Sequence, residues 1–124
     1  RRRRLRFYRL GWRQRDHSNN VGCDIIFGAL DFENEIVQRS SSFEPDIGIV
    51  LRTCSAEDLM VSKAFAGRAI DWMDVEGILA RNRGKLDLTY VRRWSSEFES
   101  VASGLSQRLE ALIAKHKIPD SSTR

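Results

Sequence analysis

The chemistry-bearing residues of this chain fall into four groups. Asp24 stands in Val21-Gly-Cys-Asp-Ile-Ile-Phe27, a run of β-formers. Strand alternation places it with Gly22 and Ile26 on one face and Cys23, Ile25 and Phe27 on the other. An ionised carboxylate on a sheet face needs a cation, a metal ion or several hydrogen bonds. On an edge facing water it serves only to discourage further strand pairing, and spacing alone favours that plainer role. Lys63 has Leu59, Met60 and Ala66 as its helical neighbours, so it lies close to an apolar face. There a lysine either snorkels, its stem covering the core, or aims a point charge at a phosphate; spacing again favours the former. Asp71 and Asp74 form an i,i+3 pair on the face of Val75 and Ile78. Complementing a helix dipole accounts for them. The sharper reading is a negative patch that organises Lys63 and Arg68 or helps to hold a hard metal ion.

The fourth group is basic. Residues 1–15 hold eight arginines and no acid, a local charge of +8 in a chain of +4, so residues 16–124 carry −4. The pI of 9.5 describes an arm attached to a mildly acidic body. Phe7, Tyr8 and Trp12 are interleaved with the arginines, the footprint of a single-stranded nucleic-acid surface. His17 and His116 have no carboxylate or cysteine at ligand-like spacing. Gly-rich phosphate loops, the G-x-S-x-G elbow and the helical H-E-x-x-H motif are all missing from the sequence.

Elements must position these groups. At 124 residues, with 41% hydrophobic and 31% charged residues, the chain has the size and composition of one soluble globular domain. No apolar run approaches the roughly 18 residues of a membrane span, and the basic start is not followed by the apolar region of a signal peptide. Cys23 and Cys54 are too few for a disulfide scaffold, which points to a reducing, cytoplasmic setting. Strands are expected over residues 5–10, 21–27 and 47–53, with a loop or wide hairpin turn over 11–20 and a loop over 40–45. A short helix over 31–38 should turn Phe32, Ile36 and Val37 inward. Ser55 then caps a helix over 56–66 that stops at Gly67. A second helix should run from residue 69 or 70 to about 82 with Gly84 as its stop, and a third from Asp87 to about Ser100. After Gly104 comes a fourth, striped by Leu105, Leu109, Leu112 and Ile113. This order is α+β, a short mixed or antiparallel sheet of about three strands followed by a helical C-terminal half. It divides into a basic arm and first strand (1–15), a sheet portion (16–54), a helical portion (55–118) and a fraying tail (119–124).

The run from Cys54 to Leu79 carries a more specific pattern: Ser55-x-Glu57-Asp58-Leu59, then Lys63, then Ala66-x-Arg68, then Asp71-x-x-Asp74-Val75. It resembles the nucleotidyltransferase-like proteins grouped with the abortive-infection AbiEii toxins, in the DNA-polymerase-β-like superfamily. The likeness extends back through Val21-Gly-Cys-Asp-Ile-Ile-Phe-Gly and Phe32-Glu-Asn-Glu, and forward through Leu86-Asp-Leu-Thr-Tyr-Val, covering nearly all of residues 21–113.

The resemblance implies a magnesium-dependent transfer of a nucleotidyl group from an NTP to an RNA, protein or small-molecule acceptor, with a cognate antitoxin-like partner as a further expectation. It matches Asp24 to the third metal-binding strand carboxylate of that superfamily, a catalytic position. Lys63 matches the lysine near the nucleotide phosphates, and Arg68, Asp71 and Asp74 match the last polar block, with Arg68 beside the nucleotide and the two aspartates supporting. Metal ions that bridge phosphate oxygens neutralise developing charge, and a nearby ammonium adds to that. The chain departs from the pattern in having no Gly-rich turn with Asp-x-Asp. It is therefore expected to be the C-terminal two-thirds of such a domain, inactive alone. The alternative is a non-catalytic nucleic-acid- or protein-binding module using the arginine-rich arm.

Overall fold

The structure, a computed structural model, describes the backbone of residues 11–15 and 22–26 and the whole of residues 28 and 30–117. The fold is α+β, as the order of sequence patterns predicts. The chain divides into two compact units, residues 1–34 and 35–124.

In the first unit, β1 (Gly11–Arg15) pairs antiparallel with β2 (Gly22–Ile26), with Arg13 opposite Asp24 in the register. The expected loop over 11–20 thus gives way to strand at residues 11–15. The expected strand over 5–10 lies outside the described residues, as does the tail over 119–124. The helix α1 (Asp31–Arg39) runs across the boundary between the two units; it opens with the Leu30 amide donating to Glu33 Oε2 at 3.0 Å, and Phe32 is buried. Ile36 is half-buried, but Val37 is 66% exposed. Val37 lies one residue, about 100°, round the helix from Ile36, and this helix buries only a narrow stripe.

The second unit contains a second antiparallel hairpin, β3 (Ser41–Asp46) and β4 (Ile49–Thr53). The four described strands therefore form two separate two-stranded sheets rather than one short sheet of about three. The Ser- and Pro-containing stretch expected as a loop over 40–45 is strand from Ser41; every residue of both strands is exposed, so no apolar alternation marks it in the sequence. Pro45 lacks an N–H, and it falls where the ladder register shifts between Phe43 and Asp46. Ile47 and Gly48 make the turn, with Gly48 at φ +79°.

Four helices follow: α2 (Ala56–Ala66), α3 (Ala69–Arg81), α4 (Leu88–Phe98) and α5 (Leu105–His116). Their ends have local causes. Ser55 Oγ accepts from the Asp58 amide at 3.1 Å, and Asp87 Oδ1 accepts from the Tyr90 amide at 3.0 Å. Asn82, rather than the expected Gly84, caps α3, its amide reaching the Ile78 carbonyl at 3.1 Å. Helix α2 packs against α3, α4 and α5. Between them lies a core that includes Met60, Val61, Val75, Leu79, Leu88, Val91, Leu105 and Leu109.

Candidate functional site

The turn between α2 and α3 brings together four of the residues singled out by sequence. Gly67 ends α2 in the left-handed region at φ +71°, where a side chain would be strained, and its amide closes on the Lys63 carbonyl at 3.1 Å. The reversal sets the last turn of α2 beside the first turn of α3. Lys63 Nζ then lies 2.7 Å from Asp74 Oδ2 and 3.4 Å from Asp71 Oδ1. Arg68 grips Asp71 with both arms of its guanidinium, Nε to Oδ2 at 2.6 Å and Nη2 to Oδ1 at 3.0 Å. The Arg68 amide also donates to Oδ2 at 3.2 Å, so Asp71 reaches back to the start of its own helix.

Burial divides the four. Asp71 is fully buried, while the side chains of Lys63, Asp74 and Arg68 are 31%, 44% and 72% exposed. A buried carboxylate is tolerable only when paired and hydrogen-bonded. Asp71 meets that condition: the Arg68 hydrogen bond outweighs desolvation and holds its carboxyl down at about 2. The hydrogen bond it donates to Asp74 pushes the Lys63 ammonium above the ordinary lysine range, so it is charged at neutral pH. The result is a rigid anchor, Asp71, that fixes two cations at a solvent-facing surface. Fixed ammonium and guanidinium groups there can receive phosphate oxygens.

Asp24 belongs to the other compact unit. It stands in β2 at a register position opposite an arginine, and its side chain lies outside the described residues. The arginines of residues 1–10 lie outside them as well.

Magnesium, implied by the resemblance, does not suit the Lys63 cluster. Among the described residues, no three His, Cys, Asp or Glu side chains assemble as a metal group. Asp71 and Asp74 already face Lys63 and Arg68, which leaves the four side chains with no net charge. Among the described residues, no helix is long and apolar enough to cross a membrane.

Two further polar clusters escaped the sequence reading. Asp58, part of the Ser55-x-Glu57-Asp58-Leu59 block, is fully buried and accepts from Tyr90 Oη at 2.6 Å and Ser55 Oγ at 2.8 Å. Arg39 lies 3.5 Å from its Oδ2 and places its guanidinium 3.9 Å from the Tyr90 ring centre. Burial, and then the bond to Asp58, push the Tyr90 hydroxyl above its ordinary range. The Ser55-x-x-Asp58 spacing was a local sign of the cap, but Tyr90 is 32 residues away and no pattern announced it. In the second cluster, Glu76 of α3 meets Lys115 Nζ at 2.5 Å and His116 Nε2 at 2.9 Å on α5. This supplies the carboxylate that His116 lacked at local spacing. Both clusters join helices across the bundle and are structural.

No family model matches this sequence, and neither the curated proteins nor the solved structures give a significant match to it.

Proposed function

We propose that this chain binds nucleotide phosphate through Lys63 and Arg68, as part of a domain that transfers a nucleotidyl group from an NTP to an acceptor hydroxyl or phosphate. The observation that supports the reading is the convergence of Lys63, Arg68, Asp71 and Asp74, four residues of one sequence block, at a single helix–helix turn. Lys63 of α2 and Arg68 at the start of α3 share Asp71, and both stay accessible to solvent. Asp24 is the carboxylate this reading assigns to the metal of the transfer step, and a reducing cytoplasmic setting fits the two cysteines of the chain.

Calorimetric titration with ATP, CTP, GTP and UTP, each with and without magnesium, tests the reading. Lys63→Met is expected to weaken NTP binding at least about tenfold, because a phosphate–ammonium contact is lost while an apolar stem of similar length remains. Its melting temperature should stay within a few degrees of the parent, since Asp71 keeps its three contacts from Arg68. Absence of NTP binding in the parent chain, or equal binding by the variant, overturns the assignment. Salt-sensitive affinity for single-stranded nucleic acid without NTP binding would instead favour the eight arginines of residues 1–15 as the functional surface.

A further inference from the structure

The two carboxylates beside Lys63 are not equivalent. Asp71 is fully buried and receives three hydrogen bonds from Arg68, so moving it would strand a charge in the interior. Asp74 is partly exposed, and among the described residues its ion-pair partner is Lys63 alone, at 2.7 Å. It lies one helical turn after Asp71 on the same face of α3. Asp71 is thus fixed, and Asp74 is held by one solvent-accessible contact of the kind that contributes little to stability.

We infer that Asp74 is an internal competitor for the phosphate site: its carboxylate occupies the Lys63 ammonium when no ligand is bound, and an incoming phosphate oxygen displaces it while Asp71 stays in place. This rests on the phosphate-binding reading given above. Two physical facts favour the exchange, and a third sets its cost. A polyphosphate carries more negative charge than one carboxylate, so it wins the ammonium once it is bound. The Asp74 side chain can swing into water at small cost, because it is already partly exposed. The displaced carboxylate remains close by, and its repulsion of the phosphate lowers affinity at every ligand concentration. Asp74 therefore sets a threshold charge: weakly charged anions fail to displace it and polyphosphates succeed.

The opposite signs expected for two neighbouring substitutions provide the test. The full chain, Lys63→Met and Asp74→Asn are each titrated calorimetrically with ATP, inorganic pyrophosphate and adenosine at fixed low ionic strength. Asp74→Asn should bind ATP and pyrophosphate about threefold to tenfold tighter than the parent, with adenosine unchanged, while Lys63→Met binds both more weakly. Asp74→Ala, which removes the charge without leaving an amide, should repeat the gain, and a melting curve for each variant checks that it is folded. If the parent binds, Lys63→Met loses binding, and both Asp74 variants bind as the parent does or more weakly, then Asp74 is not a competitor although the phosphate reading stands. If neither the parent nor the Asp74 variants bind ATP or pyrophosphate, both the reading and this inference fall.

Discussion

The α2–α5 bundle and the β3–β4 hairpin belong to the same compact unit and are held together by different physics. In the bundle, Met60, Val61, Val75, Leu79, Leu88 and Val91 are excluded from water, and helix faces meet across a shared core. In the hairpin, every residue of both strands is exposed, including Phe43, Ile49, Val50 and Leu51. Its ladder is helped by local bonds: Arg52 to the Ser40 hydroxyl and carbonyl at 3.0 and 3.1 Å, and the Gly48 amide to Glu44 at 3.0 Å. An isolated two-stranded hairpin is marginal in water, whereas apolar burial is the dominant favourable term in folding. The difference explains where the candidate site sits. A constellation of charges keeps its geometry only on elements that are themselves immobilised, and Lys63, Arg68, Asp71 and Asp74 all stand on or between two helices of the bundle.

The sharpest way to break this contrast is a truncation inside the bundle. Leu79→Ala leaves a cavity in a fully buried position and should lower unfolding free energy by about 2–5 kcal/mol in urea titration. A loss under about 1 kcal/mol would mean that the bundle is no better packed than the hairpin.

Acid should come next. The Asp71 carboxyl titrates at about 2 in the fold against 3.8 ordinarily, chiefly through the Arg68 hydrogen bond. The unfolded chain therefore takes up that proton first. The stabilisation is fully present above about pH 4 and drains away as pH falls towards 2. Glu76, through Lys115 and His116, and Glu99, through the Ser106 and Gly104 amides, are shifted in the same direction. Thermal unfolding from pH 6 to pH 2 should show a steep acid limb in the parent and a shallower one in Asp71→Asn, which starts from a lower midpoint. Parallel curves would show that the Asp71 cluster adds nothing to the bundle.

The smallest effect belongs to the hairpin. Val50→Thr, on an exposed strand, should change unfolding free energy by no more than about 0.5 kcal/mol. A larger loss would mean that the hairpin rests on burial after all.

The same contrast governs what could be read from residues alone. Helix boundaries are written locally: Ser55, Gly67, Asp87 and Gly104 each act within a turn of their own position, and the expected range 56–66 is the range of α2. Strands without a buried face carry no apolar alternation, so Ser41–Asp46 read as a loop. Gly11–Arg15, likewise rich in polar residues, read the same way. The Lys63–Asp71–Asp74 grouping was legible because one glycine reversal separates two helical spacings. The partners of Asp58 and Glu76 were not, because Tyr90, Lys115 and His116 reach them from 32, 39 and 40 residues away.

The position of α2, in contact with all three other helices of the bundle, has a kinetic consequence. Its association with α3 links segments adjacent in sequence, so little loop entropy is lost in forming it. That local pairing makes the α2–α3 hairpin the natural folding nucleus. The ties that fasten the end of α5, Glu76 to Lys115 and His116 and Arg83 to the His116 carbonyl, span more than thirty residues and must close afterwards. The helix turn that gathers the candidate site is thus expected to be assembled before the C-terminal helix is fully docked.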